Sequence, residues 1–348
     1  HPWPPDLSGR ARASARRPAA NRGILRVLAA ADCAQRPCPG WYDFGVKLRR
    51  VYSGDRLELQ SQQADGSWAS DVDAGVFGGA VFDPAWELER ARGHHDAAGH
   101  VLPFQPVSFR DFMLYEQHAV DAARGLVRRF HPGQSRAAEG IERLTRKPFP
   151  LFKPKALFYR QPIYYMSNHL SFVPSGTTVA VPSYSTALDY ELELGFVLRA
   201  PLFNAAPAEA LDAIGAFVVV NDFSARDVQR AEMATGLGPQ KAKHFASSMS
   251  VQAVTADEIL PRIDDLTGFV AVNGDAVSAV CSRGMRWTLG ELLAHASRDE
   301  HLYAGELFAT GTLPGGSGME TGHWLRPGDQ LTLAIDQIGE ISHPISSS

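Results

Sequence analysis

Cysteine is nearly absent from this chain: Cys33, Cys38 and Cys281 are the only three in 348 residues. Three thiols make no paired framework, which excludes a small disulfide-stapled scaffold. Cys33 and Cys38 could pair in an exported protein, but a reduced, cytoplasmic chain is the simpler expectation. No apolar run approaches the ~20 residues that a membrane helix needs, so no membrane partner is expected. Charge of one sign is also scarce. The net of −4 is too small to imply nucleic acid or an anionic surface as a partner. No internal repeat is found. There is no Gly-x-Ser-x-Gly elbow for a serine hydrolase, and Gly315-Gly316-Ser317-Gly318 does not supply one. The glycine-rich stretch from Gly311 to Gly318 is not followed by Gly-Lys-Ser/Thr, and it lacks the strand–helix setting of a dinucleotide fingerprint. His94 and His95 are adjacent, so their side chains point apart, and they read as a polar loop.

What the chain does have is acid in unusual company. Ala187-Leu188-Asp189-Tyr190-Glu191-Leu192-Glu193 alternates apolar and acidic residues, so in a strand Glu191 and Glu193 share a face and can reach one ion. The plainer reading is the wet face of a half-buried strand. Asp222 ends the apolar run Ala216-Phe217-Val218-Val219-Val220, which reads as a buried strand. A carboxylate there is badly solvated without a cation or hydrogen-bond donors. It could instead cap a helix over Ser224 to Val228. Upstream, Asp111 and His118 are seven apart and share a face if that segment is helical throughout, separated by roughly 10 Å. At that spacing one could hold an ion while the other acts on a substrate bound to it. A lone histidine on a helix is more often just a surface or core residue.

These segments together resemble the fumarylacetoacetate hydrolase family, which includes carbon–carbon bond hydrolases, decarboxylases, isomerases and hydratases on one scaffold. The resemblance runs from about Phe104 to about Ile345. Its marks are Asp111-Phe112…His118, the Asp189–Glu193 strand and Asn221-Asp222-Phe223-Ser224-Ala225-Arg226-Asp227-Val228-Gln229. Further marks are Gly238-Pro239…Lys243-His244-Phe245, Gly305 to Thr312, and Leu325-Arg326-Pro327-Gly328-Asp329. It implies Asp111, Glu191, Glu193 and Asp222 as metal ligands, with Mg²⁺ expected and Mn²⁺ or Ca²⁺ as alternatives for an all-oxygen set. It implies His118 as the general base that activates water, Glu320 as the acid that orients it, and Lys243 as a catalytic cation. Glu320 could also be an exposed turn residue, and a slip of register would exchange Lys243 with Lys241. Arg226, Gln229, Tyr165, Gly311 and Thr312 match substrate-binding positions. The chain departs from the family's hydrolase prototype at Met113, Asn168 and Phe223, where the prototype has tyrosine, arginine and tryptophan.

The expected activity is therefore hydrolytic cleavage of a carbon–carbon bond in a β-dicarbonyl or acylpyruvate-type acid. Decarboxylase, isomerase/tautomerase or hydratase chemistry on the same metal site is the alternative, and a non-catalytic metabolite-binding descendant is the reading from another class. The small-molecule substrate would be a dicarbonyl or 2-oxo acid, and the resemblance implies a homodimer. The expected fold class is α+β, mainly β, a β-roll of mixed sheets with a small β-rich N-terminal domain. Residues 1–22 read as a mobile tail, 23–100 as the small domain and 101–348 as the catalytic domain. His1 in place of an initiator Met reads as a processed or excised chain. Strands are expected at Ile24–Leu28, Leu57–Gln60, Thr177–Pro182, Phe217–Val220, Phe269–Val272 and Gln330–Ile335. Helices are expected at Trp86–Arg92, Ala208–Ile214 and Leu289–His295, and a hairpin turn at Asn273-Gly274-Asp275. The Arg- and Pro-rich run from Arg128 to Pro154 looks like a surface excursion or lid.

Overall fold

The computed structural model describes residues 47–53, 56–70 and 99–348. The expected tail, the Ile24–Leu28 strand, the Trp86–Arg92 helix, His94, His95, Cys33 and Cys38 lie outside the described residues. In chain order the first strands are β1 (Lys47–Ser53), β2 (Arg56–Gln62) and β3 (Trp68–Ala69), followed by β4 (Ser108–Phe112). Helices α1 (Glu116–Phe130) and α2 (Pro132–Thr145) come next. Then follow β5 (Tyr164–Ser167), β6 (Phe172–Pro174), β7 (Val179–Ala180), β8 (Leu188–Asp189) and β9 (Glu191–Leu198). Helix α3 (Pro207–Asp212) leads into β10 (Ile214–Asn221), β11 (Ser224–Ala225) and α4 (Arg226–Met233). Strands β12 (Ser247–Met249) and β13 (Gln252–Thr255) precede the short α5 (Ala256–Ile259). The chain closes with β14 (Thr267–Val272), β15 (Asp275–Cys281), α6 (Leu289–Ala296), β16 (Glu306–Ser317), α7 (Gly318–Thr321), β17 (Gln330–Ile335) and β18 (Gly339–Ser346).

The described strands form two mixed sheets and a two-stranded ribbon of β8 and β11, the β-rich α+β architecture that the sequence implies. One sheet runs β3-β2-β1-β13-β10-β9-β16-β4-β5, with β12 bridging β10 and β6, and the other runs β15-β14-β17-β18-β7. Between them lies one apolar core, to which Leu192, Leu194, Phe196, Phe217 and Phe308 contribute from the first sheet and Leu331, Leu333, Ile335 and Ile341 from the second. A second core on the outer face of the larger sheet gathers Phe109, Val197, Val218, Val220 and Leu307. β9 and β10 are therefore buried on both faces, which explains why β10 reads as an unbroken apolar run. The plain reading of the acids of β9 as a wet face is ruled out: Glu191 and Glu193 are buried.

Three local expectations are corrected. The segment from Asp111 to His118 is not one helix, because Ser108–Phe112 pairs in parallel with β16 and the helix begins only at Glu116. Ser224 does not start a helix. Ser224 and Ala225 pair with β8, and α4 begins at Arg226. The expected helix over Ala208–Ile214 ends at Asp212, since Ile214 already belongs to β10. The run after Arg128 forms α2, which packs Ala138 with Val120 of α1 and Phe152. Asn273 and Gly274 join β14 to β15 with positive φ angles of 57° and 83°, as a type I′ hairpin demands. Among the described residues no helix is long and apolar enough to cross a membrane.

Candidate active site

Five neighbouring strands each bring one part of the site. In the order β10-β9-β16-β4-β5 they carry Asp222 just past a strand end, Glu191 and Glu193, Gly311 and Thr312, Asp111, and Tyr165. The register aligns them: Val220 lies opposite Glu193, Thr312 opposite Glu193, and Asp111 opposite both Ala309 and Tyr165. β16 shifts register against β9 between Ala309 and Thr312. Gly311 has φ 79°, and a Cβ there would collide with the Phe112 carbonyl oxygen.

Asp111, Glu191, Glu193 and Asp222 are all buried and meet in one region. The Lys243 ammonium donates to Glu191 and, at 2.6 Å, to Asp222. Tyr165 donates its hydroxyl to Asp222 at 2.5 Å, Ser247 donates to the other Asp222 oxygen at 3.2 Å, and Thr312 donates to Glu193 at 3.3 Å. Arg226, 1% exposed, spreads its guanidinium over three acceptors: Asp189 at 2.8 Å, Glu191 at 2.7 Å and Gln229 at 2.8 Å. Lys243 thus takes the inward position, while Lys241 is exposed against the ring of Tyr184.

Charge is unevenly matched here. Burial raises the Glu191 carboxyl, but the Arg226 and Lys243 cations reverse this and hold it well below its ordinary value. Burial raises Asp111 and Glu193 far above theirs; the Asp222 and Glu191 carboxylates add to both, and Asp111 adds to Glu193. The Tyr165 phenol is pushed up by burial and then by Asp222 and Asp111, which keeps it a donor. Among the described residues no three carboxylate, histidine or cysteine side chains converge closely enough to cage an ion as they stand. The Lys243 ammonium lies between Glu191 and Asp222 and draws both to itself. The donor set nevertheless fits a hard divalent cation. Asp111 Oδ1 and Glu193 Oε2 are buried with no hydrogen-bond partner, in a cluster where carboxylates outnumber cations.

His118 and Glu320 meet beside this cluster. His118 Nδ1 lies 3.0 Å from Glu320 Oε2, off the line of an ideal hydrogen bond, and its Nε2 lies 3.9 Å from Glu191. Burial lowers the imidazole pKa, but Glu320 and Glu191 outweigh burial and the opposing Arg226, so it ends above its ordinary value. Glu320 is not an exposed turn residue. Its carboxylate accepts from Gly315 N at 3.0 Å, Ser317 N at 3.2 Å and Ser317 Oγ at 2.8 Å, and its side chain is 4% exposed. Ser317-Gly318-Met319-Glu320 is a capping box, a signal in the sequence that could have placed Glu320 on a helix start. α1 reaches α7 because Gly125 has no side chain: a Cβ there would collide with the Met319 carbonyl.

Two carboxylates were missed as functional. Asp189, the first acid of the alternation, is fully buried on Arg226. Glu232 on α4 accepts from the backbone N–H groups of Gln240, Lys241 and Ala242, fixing the turn that delivers Lys243. Asn168, which departs from the prototype, accepts from Leu170 N at 3.1 Å and caps a 3₁₀ turn.

Comparison with known proteins bears on the family and the fold. The family model described as fumarylacetoacetate (FAA) hydrolase C-terminal matches residues 137–346. The mitochondrial oxaloacetate tautomerase of Homo sapiens is 29% identical over 155 residues, covering 44% of this chain and 70% of that protein. The fumarylacetoacetate hydrolase of Exiguobacterium antarcticum superposes with a TM-score of 0.61 at 20% identity, covering 87% of this chain and 100% of that one. The 2-hydroxyhepta-2,4-diene-1,7-dioate isomerase of Mycobacterium marinum gives 0.58 at 18% identity, covering 87% and 99%. At such identities the two structures speak for the fold alone. Enzymes of this family include hydrolases, isomerases and tautomerases, and generally bind a divalent metal. With the family model spanning well over half its length, this chain belongs to the fumarylacetoacetate hydrolase family.

Proposed function

We propose that the chain is a hydrolase that cleaves a carbon–carbon bond in an acylpyruvate or similar β-dicarbonyl acid. The observation that carries this reading is the His118–Glu320 pair, 3.0 Å apart and 3.9 Å from Glu191 at the edge of the carboxylate cluster. A divalent cation held by Asp111, Glu191, Glu193 and Asp222, Mg²⁺ by preference for an all-oxygen set, would supply positive charge for the substrate's carbonyl oxygens. The proton transfers belong to the side chains. Neutral His118 takes a proton from water as the water oxygen attacks the acyl carbonyl carbon, and Glu320 stabilises the imidazolium that forms. The bond between that carbon and its neighbour then breaks, leaving the electron pair on the departing fragment as an enolate. The imidazolium returns its proton to the enolate carbon, giving a carboxylic acid and a 2-oxo acid. The Lys243 ammonium favours the developing negative charge. Arg226 and Gln229, with Tyr165, Gly311 and Thr312 across the sheet, orient the substrate.

A second reading is favoured by the oxaloacetate tautomerases among the relatives. There His118 moves a proton between carbon and enol oxygen, and no water attacks. Turnover of an acylpyruvate panel in ¹⁸O-enriched water separates the two. Hydrolysis places ¹⁸O in a new carboxylate and yields two fragments. An unfragmented isomer, with no ¹⁸O in a new carboxylate, would replace hydrolase with tautomerase.

A further inference from the structure

Asp189 has no exposed surface and sits where three stretches of chain meet. Its Oδ2 accepts from Arg226 Nε at 2.8 Å and from Met319 N at 3.0 Å. Its Oδ1 accepts from Gly318 N at 2.8 Å and from Tyr190 N at 2.8 Å. The backbone is tied together at the same place: Ser224 pairs with Asp189, Arg226 N donates to the Ala187 carbonyl, and Leu325 N donates to that of Leu188. Gly318 is pressed against the carboxylate so closely that a Cβ would come within 2.5 Å of Asp189 Oδ1. All four hydrogen bonds to Asp189 come from donors, so a carboxylate is the side chain that satisfies them.

The two groups that Asp189 holds have different proposed roles. Arg226 reaches onward to Glu191 and Gln229, on the substrate side. Gly318 and Met319 open α7, whose next residue, Glu320, faces His118. We propose that Asp189 is a positioning residue that locks the Arg226 guanidinium and the Glu320 carboxylate into one rigid unit, so that substrate binding and orientation of the base are set together. This rests on the roles proposed for Arg226, His118 and Glu320. Asp189 itself touches neither substrate nor reacting atoms.

Asp189→Asn is the discriminating change, because it is nearly isosteric yet must turn an NH₂ toward a donor. In the full chain with Mg²⁺, kcat on an acylpyruvate is expected to fall ~10- to 100-fold, as when a supporting carboxylate is lost. In the double variant D189N/E320Q, the combined loss of kcat should be smaller than the product of the two single losses, because part of the D189N effect acts through Glu320. Multiplying losses, or an unchanged kcat in a folded D189N, would overturn the proposal. Amide hydrogen exchange gives an arm that needs neither the variant nor turnover. Oxalate with Mg²⁺, a planar dicarboxylate placed on the Arg226 side of the wild-type chain, should slow exchange at Gly318 and Met319. No change at those amides with oxalate bound would refute the coupling. A wild-type chain that turned over no dicarbonyl acid would remove the hydrolase reading, while the exchange result would still decide on Asp189.

Discussion

At the scale of single residues, His118 is governed by three neighbours and by burial, and the carboxylates win, setting its pKa above the ordinary value. A general base acts unprotonated, so kcat should rise with pH along an acid limb whose midpoint lies above ~6.5. Glu320→Gln removes the largest of the raising influences. Its limb should shift to lower pH while kcat falls, and an unchanged midpoint in the pH–rate profile would break the pairing. His118→Ala should lower kcat by ~10²–10⁴-fold with Mg²⁺ affinity retained, checked by calorimetric titration. Glu191, Glu193 and Asp222 were legible in the sequence because carboxylates sit uneasily in or after runs as apolar as those of β9 and β10. The contact between His118 and Glu320 was not legible from residue chemistry, since long-range packing of α1 on α7 creates it. Asp189 was hidden by looking like the first of three equivalent acids, when its partners lie in α4 and α7.

Among elements, the meeting of α1 and α7 is set by main chain, not by side-chain fit. Gly125→Ala gains up to ~1 kcal/mol of helix propensity but forces a Cβ into the Met319 carbonyl. A net destabilisation of ~1–3 kcal/mol is expected, with kcat reduced because Glu320 is carried away from His118. A variant that melted higher would show that the helices can separate freely. β18 offers a separate pH test. His343 is fully buried, its Nδ1 donates to the Thr177 carbonyl at 2.6 Å, and burial lowers its pKa to about 4. Its folded pKa lies below the unfolded ~6.5, so its stability contribution is complete above that pH and is lost as pH falls toward 4. The loss should approach roughly 3 kcal/mol. His343→Phe, beside Phe223, should flatten that part of the melting profile. Periodicity revealed Gln330–Ile335 and the Asn273-Gly274 hairpin because their patterns are local. It failed at Asp111 because pairing with β16, far along the chain, overrides the helical spacing to His118.

At the scale of the whole molecule, buried carboxyl side chains outnumber buried lysines and arginines among the described residues, an imbalance from which we expect a response to cations. Mg²⁺ at a hundredfold excess over its Kd should stabilise the fold by ~2.7 kcal/mol, seen as a higher melting temperature that EDTA reverses. Glu193→Gln should abolish the gain from Mg²⁺, because it removes one of the four carboxylates proposed to hold the cation. Equal melting temperatures with and without Mg²⁺ in the wild type would count against a cation site. The overall class was legible because short apolar runs between Gly and Pro turns dominate the sequence. The strand order was not, since pairing partners leave no mark on composition. That order has a consequence for how the protein comes into being. β16, which follows every other described strand of its sheet in the chain, is the wedge between β9 and β4. Asp111 on β4 is joined to Glu191 and Glu193 on β9 only through β16, so the charge repulsion of the finished centre should be met when that strand inserts.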